Sequence, residues 1–210
     1  MATNAYWREF GTLLLAAILG GLAIMPYSLR LIKTSNKPTG LPLSTILLLS
    51  IIQNTILSAI AIGIGLVAAH SIGLGVPYIT AIVTGGQVQA RASMLLLAMG
   101  MGLVDGFVLM LLDILFLPYW PKPVLELALS ASLWENFTAS FYGSINEELL
   151  TRLFGVSVTA WLLGRIWHTT SGAPTSAVFW AAIVLLAVLF AVGHLPTLKG
   201  LVNEVSPTIA

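Results

Sequence analysis

Residues 93–117 read SMLLLAMGMGLVDGFVLMLLDILFL, with Asp105 and Asp113 as the charged side chains in the run. About 20 mostly apolar residues in a helix cross the hydrocarbon of a bilayer, so this stretch is long enough to span one. Four other regions match it in kind, at 9–29, 43–69, 145–168 and 176–194. Breaks rich in Pro, Gly and Ser separate them, notably KTSNKPTGLP (33–42), LPYWPKP (117–123) and TTSGAP (169–174). The expected fold class is an all-α integral membrane protein, a polytopic bundle of about five transmembrane helices.

Composition agrees with that class. The chain has 210 residues, 58% hydrophobic and 8% charged, against about 25% charged in soluble domains. A net charge of +1 gives no footprint for nucleic acid. The chain has no cysteine, which excludes disulfides, thiolate metal sites and cysteine nucleophiles. Residues 11–25 have the length of a signal-peptide core, preceded by Arg8, but PYSLRLIK follows without a small-x-small cleavage site, so an uncleaved first span is expected. Residues 124–144 differ from the spans. Glu126, Glu135 and Asn136 interrupt their apolar pattern, as in an interfacial amphipathic helix that precedes or leads into the fourth span, and Trp120 and Trp134 suit that depth. Arg30, Lys33 and Lys37 make the first loop cytoplasmic. By alternation Lys122 and Lys199 fall on the same side, with Arg91 and Arg165 opposite.

Within this apolar chain INEELLTRLFG (145–155) places two of the eight acidic residues side by side. On a helix Glu148 and Arg152 lie one turn apart on one face and can pair, which leaves Glu147 as the odd charge. A poorly solvated carboxylate gains proton affinity, the tuning a general base needs. The plainer reading puts residues 145–152 at the membrane surface, where such charges cost little. A second feature bears on this choice: LAVLFAVGHLP (186–196) ends an apolar span on His194. Glu147 stands about 22 residues before the 169–174 turn and His194 about 20 after it, roughly 30 Å along each helix. Antiparallel neighbours would then bring the two to the same depth, near the cytoplasmic face.

EELLTR (147–152) and FAVGH (190–194) resemble the E-E-x-x-x-R and F-x-x-x-H motifs of the CPBP intramembrane proteases, which include type II CAAX prenyl proteases and bacterial relatives linked to bacteriocin processing or self-immunity. The likeness covers roughly residues 120–200, suggesting N-terminal transmembrane helices over 1–120 and a partial protease core over 121–210. The resemblance implies an intramembrane endopeptidase in a bacterial inner membrane, acting beside lipid on a peptide or protein substrate that is itself membrane-associated. It makes Glu147 the activator of water and His194 the group that holds that water or the oxyanion. Glu148 and Arg152 become a supporting pair, and Phe190 packs beside the site. No cofactor is firmly implied. A divalent metal such as zinc would use Glu147 and His194, but a zinc site wants four ligands, or three and a water. The family adds a further His with Asn or Asp four residues on, and none follows His194 here. The expectation is a C-terminally truncated, inactive piece of such an enzyme.

Two other classes compete with this reading. A non-catalytic membrane scaffold that binds a partner would tolerate the missing histidine. A small transporter would use Asp105 and the acidic pair, but it calls for repeats and broken helices that are not evident. Asp105, beside Gly106, is expected to hydrogen-bond a neighbouring helix, and Asp113 to be interfacial. His70 and His168 are read as interfacial, and the glycines near 63–75 as helix packing and a turn.

Overall fold

The computed structural model describes residues 3–34, 40–86 and 92–205. Lys37 and Arg91, both used in the orientation argument, lie outside these residues, as does the end of the tail. The described residues form helices α1 (Thr3–Ala23), α2 (Met25–Thr34), α3 (Leu43–Ser71), α4 (Pro77–Thr84), α5 (Ala92–Phe116) and α6 (Lys122–Leu129). A long central helix (133–163) follows, made of α7 (Leu133–Tyr142), π-helical segments Gly143–Glu147 and Leu149–Val156, and α8 (Ser157–Leu163); α9 (Ser176–Val205) ends the order. Four helices are long and apolar enough to cross a membrane: Asn4–Lys33, Leu43–Ser71, Ser93–Tyr119 and Ser176–Pro196.

Residues 124–144 do not form one helix. Helix α6 stops at Leu129, and Ser132 starts the central helix with a reciprocal cap. The Glu135 amide donates to Ser132 Oγ (3.2 Å), and the Ser132 amide donates to Glu135 Oε2 (2.8 Å). Glu135 therefore closes a helix start, which explains a charge within an apolar pattern. Arg30 at the end of the first span lies 3.5 Å from the same carboxylate and donates to Ser130 Oγ (2.9 Å). That contact puts the end of α2 and the start of the central helix at one end of the bundle. Pro196 does not end α9, which runs on to Val205 although the proline ring supplies no N–H for the helix ladder.

Leu13 and Ala17 of α1, Ile62 and Leu66 of α3 and Leu149 of the central helix form the main buried cluster, so the segments on either side of residue 120 share one core. A second cluster joins Ala160 of α8 to Val178 and Ala182 of α9. Many buried side chains are small, whereas Leu96, Leu103, Ile114, Leu115 and Val184 face outward. A bundle surrounded by lipid gains nothing by hiding leucine, and its helices associate by close backbone approach at small residues. Gly65 shows the effect: a Cβ there would stand 2.7 Å from the Leu153 carbonyl oxygen.

Helix α5 stands apart from this core. Residues 93–119 are exposed throughout, and additions at Gly100, Gly102 and Gly106 meet nothing within 4 Å. Asp105 makes no hydrogen bond or ion pair among the described residues, which corrects the expectation of a bond to a neighbouring helix. The small residues around it face no other helix among the described residues.

Candidate functional site

Glu147 and Arg152 lie on the two π-helical segments of the central helix, where i→i+5 bonding widens the turn, and Glu148 is the residue between those segments. Arg152 Nε and Glu148 Oε2 pair at 2.9 Å, as the spacing predicts. Glu147 is half-buried and folds back over Gly143, whose added Cβ would lie 3.5 Å from its Oε2. Among the described residues its carboxylate has no hydrogen bond or ion pair. Thr151 Oγ1 donates to the Glu147 carbonyl (2.6 Å) and so steadies the backbone at this position.

The level of the motif is set by the residue before it. Asn146 is fully buried and its Nδ2 donates to the Ala17 carbonyl (2.8 Å). Ala17 lies near the middle of the Asn4–Lys33 span. Glu147 is therefore level with the middle of that helix. The Ser132 cap starts this helix at Leu133 instead of 145, so that several turns precede the motif.

His194 is exposed on α9. Its Nδ1 lies 2.8 Å from the Phe190 carbonyl, and the two rings touch at 4.4 Å between centroids, tilted by 55°. A carbonyl only accepts, so Nδ1 carries the proton and Nε2 of the neutral ring keeps its lone pair. Gly155 of the central helix touches α9 so closely that its Cβ would sit 2.5 Å from Leu186 Cδ1. Glu147 precedes Gly155 by as many residues as His194 follows Leu186, so antiparallel packing puts them at comparable heights. No hydrogen bond or ion pair joins them among the described residues. Nor do three or more His, Cys, Asp or Glu side chains converge as metal ligands among those residues. Glu147 and His194 alone do not make a zinc set.

Glu148 and Arg152 line a cleft of about 470 Å³, walled by Leu13, Ala69, Leu74 and Leu149. On its far side the 72–76 turn passes His70, where a Cβ on Gly75 would lie 3.7 Å from Nε2.

This end of the bundle holds a cluster that the sequence reading passed over. Glu9 of α1 is fully buried. Thr80 Oγ1 of α4 donates to its Oε1 (2.5 Å), and His70 Nε2 of α3 stands 3.6 Å from its Oε2. That Oε2 has no hydrogen-bond partner among the described residues. His70 is 30% exposed and its Nδ1 donates to the Leu66 carbonyl (2.7 Å). His70 is thus a partner of a buried carboxylate and not a plain interfacial residue. Glu9 follows Arg8 at the edge of an apolar run and reads as a polar flank. The available signal was the short apolar PYITAIVT after GLGV, too short to span and free to fold back on α1.

No family model, no curated protein and no solved structure matches this chain.

Proposed function

We propose that this sequence belongs to a CPBP-type intramembrane endopeptidase, in which Glu147 activates a water for attack on a peptide carbonyl. His194, through its free Nε2, holds that water or donates to the oxyanion once protonated. The Glu148–Arg152 pair neutralises two charges of the motif and leaves Glu147 as the available base, with Phe190 setting the His194 ring. The substrate is a membrane-associated peptide or protein, and the location is a bacterial inner membrane. In this reading the central helix is the fourth of five spans, α6 lies at the interface, and hydrolysis takes place at the level of Ala17. A divalent metal is not needed for these steps, which rest on the side chains described.

The observation that carries the proposal is the Glu147 carboxylate, unpartnered among the described residues, at a height comparable to that of a histidine whose Nδ1 is bonded to the Phe190 carbonyl. In the cellular protein carrying this sequence, Glu147→Gln and His194→Ala should insert normally and each lose cleavage, the former by about 10²–10⁴-fold. Mass spectrometry of new peptide termini in membranes with wild-type or variant protein measures this. Identical termini in the Glu147→Gln membranes would remove the catalytic reading. They would favour a partner-binding scaffold, the alternative supported by the lack of any bond between Glu147 and His194.

A further inference from the structure

Three elements meet at the end of the bundle opposite the Arg30–Glu135 contact. Helix α3 stops at Ser71, the central helix stops at Leu163, and α9 begins at Ser176. The 164–175 connection between the last two is a folded turn. His168 and Pro174 form an antiparallel bridge, in which the Thr169 N–H donates to the Ala173 carbonyl (2.8 Å) and the Thr175 N–H to the Trp167 carbonyl (3.4 Å). Gly172 turns the chain at φ 82°, a left-handed conformation that favours glycine. Gly164 lets the turn fold back on the helix end, since a Cβ there would stand 2.7 Å from Pro174 Cγ.

Between this turn and the end of α3 lies a cavity of about 240 Å³, bounded by Ser71, Ile72, Trp161, Arg165 and His168. Among the described residues no acidic side chain lines it. Arg165 Cζ lies over the Trp161 ring, 3.9 Å from its centroid, so an indole face helps to hold the guanidinium in place. The side-chain N–H groups of Arg165 have no hydrogen bond or ion pair among the described residues. The polar neighbours are already engaged: Ser71 Oγ donates to the Val67 carbonyl (2.7 Å), and His168 Nδ1 to the Thr169 carbonyl (3.1 Å). Arg165 is thus the cation of a site walled by three elements, and its planar fork of donors matches phosphate oxygens.

The surroundings select the kind of phosphate. The cavity stands at the ends of two apolar helices long enough to span, Leu43–Ser71 and Ser176–Pro196. Ile166, Trp167 and Trp180 nearby in the chain are exposed, and indoles favour the headgroup level of a bilayer. Charge alternation puts Arg165 on the side away from the basic first loop, so the orientation bias does not account for it. The cavity is smaller than the roughly 300 Å³ at which pockets for drug-sized ligands begin. It admits a headgroup phosphate and leaves acyl chains outside, beside the exposed apolar residues.

We infer that this cavity binds the phosphate of an anionic membrane phospholipid, with Arg165 holding the phosphate oxygens and the acyl chains lying along the exposed Ile166–Trp167 flank. The inference is independent of the protease reading. Basic pockets between membrane helices recognise lipid headgroups in this way.

The chain has no cysteine, so one introduced thiol reports alone. Ser71→Cys puts that thiol in the cavity wall, and Thr170→Cys puts it on the same turn but outside the wall. Full-length protein in phosphatidylcholine vesicles with increasing phosphatidylglycerol is labelled with N-ethylmaleimide, a neutral reagent. The Ser71→Cys rate divided by the Thr170→Cys rate cancels the effect of surface charge on the thiol. The ratio should fall as phosphatidylglycerol rises. Arg165→Gln removes the charge-assisted bonds and should raise the lipid fraction needed for half of that fall by about tenfold or more. A ratio unmoved by phosphatidylglycerol, or an equal fall in Arg165→Gln, would overturn the site. An equal fall with inorganic phosphate in phosphatidylcholine vesicles would overturn the lipid assignment and make the occupant a free anion. Should Arg165→Gln fail to insert, native mass spectrometry of the wild type decides. Phosphatidylglycerol should then stay bound where phosphatidylcholine is stripped, and equal retention of the two would overturn the proposal.

Discussion

At the scale of single residues, the motif is held in register by Asn146 beside it. Its Nδ2 reaches the Ala17 carbonyl, while Oδ1 is buried without a partner among the described residues. The amide fits because position 20 is glycine: a Cβ there would stand 2.2 Å from Asn146 Oδ1. Gly20→Ala should therefore destabilise the protein by about 1–3 kcal/mol through overpacking. The clash is with one side chain and not with backbone, so Asn146→Ala should remove most of the penalty. Thermal unfolding of the two single variants and the double variant in detergent gives the coupling. Additive effects would mean that Gly20 and Asn146 do not touch in the folded protein. Glu147 itself depends on this contact, because a shift of one residue in the central helix would turn its carboxylate to another face.

At the scale of elements, the start of the central helix is an acid-sensitive joint. The Glu135 carboxyl is held below the usual range, first by the backbone N–H of Ser132, then by the Ser132 hydroxyl, with the Arg30 charge adding to them. A lowered carboxyl pKa gives stability that is present above the ordinary glutamate value and is lost as pH falls through the folded one. On acidification the first turn of α7 should fray before the rest of the helix, and Ser132→Ala should bring the fraying to higher pH. Hydrogen exchange of the Leu133–Asn136 amides follows it, and pH-independent protection there would count against the cap. The signal for this start was legible, since SLWE (132–135) has the S-x-x-E pattern of a capping box, although the interrupted apolar run drew the boundary to 145. Four spans were legible because apolar length is a local property, and the Glu148–Arg152 pair because one helical turn is. The packing role of Gly65 also came from local pattern. The partners of Glu9 were not legible: Thr80 lies 71 residues away, and the contact depends on how an eight-residue helix folds back. For Asp105 the local pattern misled, since small residues in a span signal close packing only where another helix is present.

At the scale of the whole molecule, the core draws on α1, α3, the central helix and the start of α9, and leaves α5 as an apolar span with no buried position in its window. Substitutions on α5 should therefore act on membrane insertion and hardly on packing. Asp105 is the sharpest case, an acidic side chain well inside the Ser93–Tyr119 span. A central Asp costs about 2.5–3.5 kcal/mol on insertion scales, and no partner among the described residues offsets it. Asp105→Asn keeps the shape and removes the charge, so insertion of this span should improve while unfolding of the bundle stays within about 0.5 kcal/mol of wild type. A glycosylation-site insertion assay on residues 93–119 measures the first, and detergent unfolding of the whole protein the second. Gly65→Ala provides the contrast, since its Cβ would press on the Leu153 backbone and unfolding should shift by about 1–3 kcal/mol. If Asp105→Asn lowered stability as Gly65→Ala does, the α5 face would have to be covered in the membrane by something the described residues do not supply. The bundle core would then extend to the side of the molecule that α5 occupies, where Asp105 stands among apolar residues and glycines.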